Sequence, residues 1–218
     1  QEGEICGILG PNGVGKSTLF NILIGLLKPD FGKVFIDSLE VTSIPIYRRA
    51  LDFGVCLVPQ SGGIFSELTC EENLKSIAEI IFKNKSEIIF NVENMISKFQ
   101  LESVKKIKGK FLSGGQKKRV CIAMALISNP KIILMDEPFQ GLDLMTTREL
   151  QETIVNLQVE DNSRCCIISD HAARDLLAIS DKAIIIANKK IVAKGSPSEL
   201  VINQNAKSVY FGDSFKIN

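Results

Sequence analysis

Eight consecutive residues, Gly10-Pro11-Asn12-Gly13-Val14-Gly15-Lys16-Ser17, have the G-x-x-x-x-G-K-S spacing of a phosphate-cradling loop. The glycines of such a loop let successive backbone N–H groups turn inward on phosphate oxygens. Lys16 is placed to reach the β- and γ-phosphates, Ser17 to ligate Mg²⁺, and the next helix, with Thr18 in its first turn, to aim its positive N-terminus at the same anion. Farther on, Ile132-Ile133-Leu134-Met135-Asp136-Glu137 is an apolar run ending in two carboxylates. A buried strand would deliver both acids to the end of a sheet, where Asp136 would hold Mg²⁺ and Glu137 would polarise an attacking water. Two acids there could instead cap the next helix, and it is the phosphate loop that favours the chemical reading. Ser113-Gly114-Gly115-Gln116 opens a helical run and offers a second N-terminus able to accept an anion; a plainly capped helix is the competing account.

These groups need a scaffold. Ile5–Leu9 precedes the phosphate loop, and Leu19, Ile22, Leu23, Leu26 and Leu27 then fall on one face of a helix, so strand, loop and helix arrive in order. Further strands are expected at Val34–Ile36, Gly54–Val58, Ile132–Met135, Cys165–Ser169 and Ala183–Ala187. Several are continuous apolar runs separated by helical stretches, the pattern of strands buried on both faces of a mainly parallel sheet in an α/β fold. From Gln60 to about Gly115 the pattern turns helical. Thr69 with Glu71-Glu72 reads as a helix start, followed by Ile77, Ile80 and Ile81, then Val92, Met95, Ile96 and Phe99.

The 218 residues suit one domain with an inserted subdomain, and no internal repeat suggests a second copy of it. With 26 basic and 25 acidic residues the net charge of +1 gives no electrostatic reason to expect nucleic acid. The clusters Lys105, Lys106, Lys108, Lys110 and Lys117, Lys118, Arg119 read as solvated faces. Six cysteines lack C-x-x-C spacing, and Cys165 and Cys166 point to opposite faces of one strand, so neither a disulfide nor a structural metal is expected and a reducing compartment is implied. No apolar run reaches the roughly 18 residues of a membrane span.

Leu112-Ser113-Gly114-Gly115-Gln116 is similar to the L-S-G-G-Q signature of the ATP-binding cassette family, and with the motifs above nearly the whole chain resembles that family's nucleotide-binding domain. The resemblance implies a RecA-like P-loop NTPase core, an α-helical subdomain inserted at about 61–115, and ATP hydrolysis with Mg²⁺. It implies that Ser113, Gly114, Gly115 and Gln116 contact ATP held by a second copy of the chain in an ATP-sandwich homodimer. His171, the only histidine, stands where the family has its switch histidine; a lone histidine is otherwise a surface or packed residue. Gln60 matches the Q-loop glutamine, which reaches Mg²⁺ or water, and would otherwise be an ordinary loop residue. Gly141-Leu142-Asp143 matches the D-loop at the dimer interface, with helix capping by Asp143 as the alternative.

Within the family, the chain looks like the ATPases of bacterial lipopolysaccharide export. That likeness rests on Val58-Pro59-Gln60 with the segment Ile64–Leu74, on Asp136-Glu137-Pro138-Phe139, and on the tail Val209–Lys216. It implies two transmembrane permease subunits whose short helices dock near Ile64–Leu74, and a cytoplasmic chain that meets the inner membrane only through them. ATPases of branched-chain amino-acid importers share nearly every motif and form the alternative. Leu144 stands where many members have Pro, and Met124 where Arg is common. The adenine-stacking aromatic of the family lies upstream of the phosphate loop, which leads to the expectation of native N-terminal strands before Gln1 and of weak base selectivity without them.

Overall fold

The computed structural model describes residues 2–212 and residue 215. Along the chain run β1 (Ile5–Leu9), α1 (Lys16–Leu23), a hairpin of β2 (Phe35–Ile36) and β3 (Leu39–Glu40), α2 (Ile46–Phe53), β4 (Val55–Val58), α3 (Cys70–Ile81), α4 (Lys85–Lys98) and α5 (Gly114–Leu126). Then follow β5 (Ile132–Asp136), α6 (Leu144–Glu160), β6 (Cys165–Asp170), α7 (Ala173–Leu177), β7 (Lys182–Ala187), β8 (Lys190–Gly195) and α8 (Pro197–Ile202). Two compact units arise: Gln1–Gln60 with Lys131–Gln140 and Ile154–Asn218, and Ser61–Pro130 with Gly141–Thr153.

The first unit is built on a six-stranded sheet of order β4-β5-β6-β1-β7-β8, parallel except for the antiparallel β7–β8 pair. The apolar runs form the central strands because their residues are covered on both faces: Ile133, Met135, Cys166 and Ile168 are fully buried. Register fixes the chemistry. Leu9 pairs with Asp170 and Asp136 with Ser169, so β1, β5 and β6 end level with one another. The short hairpin strand at 39–40 and the strand at 190–195 escape sequence reading, the latter because Lys190, Lys194 and Gly195 break its apolar pattern.

Helix α1 departs from expectation. It stops at Leu23, Leu26 and Leu27 are exposed, and its anchor is Phe20, fully buried against Ile8, Val55 and Leu134. Gly25 ends it, since φ is +82° there and a Cβ would lie 2.8 Å from Arg49 Nε. Arg49 is 1% exposed and donates only to carbonyls: Nη1 to Ile22 and Leu23 at 2.7 Å, Nη2 to Val41 at 2.6 Å and Thr42 at 3.2 Å, Nε to Ile44 at 2.9 Å. Its cation thus closes the last carbonyls of α1 and ties them to the loop before α2. Burial pulls its pKa below the ordinary arginine value.

In the second unit α3 starts on a capping box, with Thr69 Oγ1 accepting from Glu72 N–H and the Glu72 carboxylate accepting from Thr69 N–H. Its buried face is Cys70, Asn73, Leu74 and Ala78, whereas Ile80 and Ile81 are exposed, contrary to the helical pattern read from the sequence. Helix α4 buries Val92, Met95 and Ile96, and Phe99 follows them into the interior. Asn73 accepts from Phe65 N–H at 2.6 Å and donates to the Phe65, Leu68 and Thr69 carbonyls, which pins the segment 64–69. The lysines at 105, 106, 108 and 110 pair with Glu71, Glu93 and Glu67, so their charge is answered locally. This unit extends beyond the expected limit near 115. The apolar face of α5, with Val120, Ile122 and Ala123 fully buried, and the Thr146 turn against Gly115 both belong to it.

Replacing Arg49 with Met would leave five carbonyls without their donor, for a loss of about 3 kcal/mol or more. In a chain of this size that corresponds to a fall in Tm of roughly 6–12 °C; a thermal shift below 2 °C would refute the role given to Arg49. All six cysteines are free, and burial pushes the Cys70 thiol up to about 11 and the Cys166 thiol up to about 12. At pH 7.5 both stay protonated, so iodoacetamide should leave them unmodified in the folded protein and react with them once it is unfolded, as read by peptide mass spectrometry.

Candidate active site

The loop after β1 is shaped by its glycines. Gly13 and Gly15 take φ of +77° and +109°, and a Cβ on either would point into open space, so both face outward with no side chain in the way. Gly15 is the N-cap of α1, which leaves the helix's first N–H groups at the loop. A cavity of about 320 Å³ lies there, lined by Asn12, Gly13, Gly15, Lys16, Ser17 and Thr18 together with Gln60 and Glu137. Lys16 is 4% exposed; its ammonium donates to the carbonyls of Gly10 at 2.8 Å and Pro11 at 3.3 Å and stands 3.2 Å from Glu137 Oε1. Gly10, Pro11 and Val14 therefore shape the loop from behind, with Val14 N–H closing a turn on the Pro11 carbonyl.

Glu137 follows β5 with φ of +46°, a left-handed conformation that an L-residue adopts at a cost of about 1–2 kcal/mol. Its N–H is held by the Ser169 carbonyl at 2.8 Å, and Ser169 Oγ donates to Asp136 Oδ1 at 2.5 Å. The strained turn throws the carboxylate into the cavity. There Oε2 accepts from Gln60 Nε2 at 2.9 Å and lies 3.5 Å from His171 Nδ1, while Oε1 faces Lys16. Gln60 also donates to Gln140 Oε1 at 2.9 Å. Glu137, Gln60, His171, Lys16 and Ser17, distant in sequence, thus meet at the ends of β1, β4, β5 and β6.

Sequence reasoning missed the partners of these groups. Asp170 is fully buried and its carboxylate accepts from three backbone N–H groups, those of His171, Ala172 and Phe139. Burial raises its pKa, with the N–H groups and His171 pulling the other way. Tyr210 donates its hydroxyl to the His171 carbonyl at 3.1 Å, and burial pushes that phenol up to about 12. A signal was present in Ser169-Asp170, two polar residues that end an apolar run just before the lone histidine. Part of the tail motif, 213, 214 and 216, lies outside the described residues.

The other candidates sit in the second unit. Ser113 caps α5 in a capping box with Gln116, so both polar side chains serve the helix start, and Gly114 N–H heads the helix behind them. A Cβ on Gly115 would meet Thr146 Cγ2 at 2.5 Å. Asp143 accepts from Thr146 N–H at 2.9 Å and from its hydroxyl at 2.6 Å, hydrogen bonds that hold its carboxyl below the usual range. Asp143 is thus tied through Thr146 to the signature glycine, and the capping geometry weighed from the sequence is present in both motifs.

The cavity suits a triphosphate: a buried cation, a helix N-terminus, two hydroxyls and glycine backbone turned outward. The donors available to a divalent ion are hard oxygens, namely the Ser17 hydroxyl, the Gln60 amide and Asp136 at the end of β5. No group of three or more His, Cys, Asp or Glu able to hold a metal occurs among the described residues.

Residues 1–140 match the ABC transporter family. The chain is 36% identical over 215 residues to the lipopolysaccharide export system ATP-binding protein LptB of Acidithiobacillus ferridurans, covering 99% of this chain and 88% of that protein. Among solved structures, cbiO1 of Clostridium perfringens, part of the transporter complex cbiONQ, superposes with a TM-score of 0.84 at 30% identity, covering 95% of this chain and 83% of that one. The ATP-binding cassette MJ0796, a dimer in a post-hydrolysis state bound to ADP and Pi, gives 0.80 at 27% identity, covering 90% and 87%. With a phosphate loop, a signature helix and a strand-end carboxylate pair in this order along it, and with the family match over residues 1–140, the chain belongs to the ATP-binding cassette transporter family as an ATP-hydrolysing subunit.

Proposed function

We propose that the chain powers lipopolysaccharide extraction from the inner membrane by Mg²⁺-dependent ATP hydrolysis. The observation that carries the hydrolysis is the Glu137 carboxylate, held in the phosphate-loop cavity by Gln60, Lys16 and His171. Lys16 exchanges its loop carbonyls and Glu137 for the β- and γ-phosphates. Glu137, released from that cation, orients a water in line with the γ-phosphate, and His171 and Gln60 fix the water and the terminal phosphate between them. When bound, Mg²⁺ would neutralise charge on the phosphate oxygens; Ser17, Gln60 and Asp136 are the residues that would hold it.

The export task is supported by likeness to the LptB protein over nearly the full chain. A second copy is the natural partner, because MJ0796 is dimeric after hydrolysis and the signature helix Gly114–Leu126 presents an N-terminus suited to an anion. Closure and reopening of that dimer with each turnover would drive two permease subunits docked at segment 64–74, which Asn73 holds in shape. On this reading the chain sits at the cytoplasmic face through those subunits; no helix among its described residues is long and apolar enough to cross a membrane.

Lys16→Ala removes the buried cation and should weaken ATP binding by roughly 10- to 100-fold in equilibrium dialysis, as expected for a charge-assisted contact; unchanged affinity would remove Lys16 from the phosphate site. Purification of the native protein from its own membranes with ATP, Mg²⁺ and vanadate, followed by mass spectrometry, should return two lipopolysaccharide-export permeases. Amino-acid-importer permeases would overturn the export assignment and leave the hydrolytic reading intact.

A further inference from the structure

We infer that Asp170 is a positioning residue for hydrolysis, a clamp that fixes the turn carrying Glu137 and the turn carrying His171 relative to each other. The inference rests on Glu137 and His171 acting at the γ-phosphate as proposed above. Asp170 ends β6 and none of it is exposed. Its Oδ1 accepts from His171 N–H at 2.7 Å and Ala172 N–H at 2.9 Å, which folds the chain so that the imidazole turns back toward β5. Its Oδ2 reaches across the seam to Phe139 N–H at 3.2 Å, two residues past Glu137. His171 Nδ1 then stands 3.5 Å from both Asp170 Oδ1 and Glu137 Oε2.

A buried carboxylate is costly to keep, and His171 Nδ1 lies 3.5 Å from this one. Burial itself disfavours the charge, so Asp170 is a poor choice for stability alone. What the carboxylate supplies is a pair of acceptors spanning two loops. The neighbouring Ser169 does the same one residue earlier, joining the Glu137 N–H and the Asp136 carboxylate to β6. Together they pin a residue whose left-handed backbone would otherwise relax. Asp170 touches neither ATP nor water on this account and acts through the two side chains it orients.

The test is steady-state ATP turnover by the full-length protein carrying Asp170→Asn, Asp170→Ser, His171→Ala and the combination of Asp170→Asn with His171→Ala. In Asn the amide oxygen can keep the His171 and Ala172 N–H groups, but its NH₂ then opposes the Phe139 N–H, donor against donor. Both single substitutions at 170 should lower kcat by roughly 10- to 100-fold while KM for ATP stays within about threefold, since misplacement affects the reacting geometry and not the phosphate loop. In the His171→Ala background, Asp170→Asn should lower kcat by no more than about threefold, because residues acting as one unit are not additive. Wild-type kcat in both single variants would overturn the inference, as would a full multiplicative loss in the combination. A loss at Asp170 with wild-type turnover in His171→Ala would also overturn it. The proposed reading of Glu137 is tested separately, by Glu137→Gln with Asp170 intact.

Discussion

One main-chain hydrogen bond organises the active site: the Glu137 N–H donating to the Ser169 carbonyl at 2.8 Å, between the ends of β5 and β6. Glu137 sits in a left-handed conformation, and such a residue persists only where its surroundings over-determine it. Here they do. Parallel pairing of Ile132–Asp136 with Cys165–Ser169 brings the two strand ends level, and the Ser169 hydroxyl to Asp136 and the Asp170 carboxylate to Phe139 extend that pairing past the sheet. Without the register, the carboxylate would follow the strand direction and miss the phosphate loop.

The electrostatics follow from that placement. Lys16 and Glu137, both nearly buried, satisfy each other beside the loop carbonyls, so each is kept in a low-dielectric site by the other. On the proposed reading, a triphosphate would compete with Glu137 for the lysine and its binding would free the carboxylate for the water, so that loading and activation would be linked through one ion pair. The scaffold beneath contributes rigidity: Phe20 seats the middle of α1 on the sheet, and Arg49 ties its C-terminus to the loop before α2, so the helix that follows the phosphate loop is held along its length. In the second unit the same economy appears, with Thr146 joining Asp143 to the glycine of the signature motif.

Much of this was legible from residue order. The strands at 5–9, 55–58, 132–136 and 165–170 are apolar runs that demand two-sided burial, and the Thr69 and Ser113 helix starts have local chemistry that needs no tertiary help. Failures occurred where distant contacts decide. Leu26 and Leu27 keep helical spacing, yet Gly25 and the Arg49 guanidinium end the helix before them. Ile80 and Ile81 continue an apolar face beyond the part of α3 that is covered. In the site, Lys16, Ser17, Asp136 and Glu137 are marked by motif spacing, whereas Asp170 shows only as a polar residue ending an apolar run, and Arg49, away from the site, looks like an ordinary surface charge until the fold buries it. Their partners are backbone groups, which leave no trace in sequence.

The central claim is that the Glu137 carboxylate, and not its shape alone, drives hydrolysis from a position the sheet fixes. The most direct measurement is single-turnover hydrolysis of Mg-ATP by Glu137→Gln, with nucleotide affinity measured on the same sample. Gln keeps the size and an acceptor for Gln60 but loses the charge, so the account predicts a hydrolysis rate reduced by roughly 100-fold or more with ATP still bound at least as tightly as in the parent. A variant that hydrolyses ATP at the parental rate would contradict it.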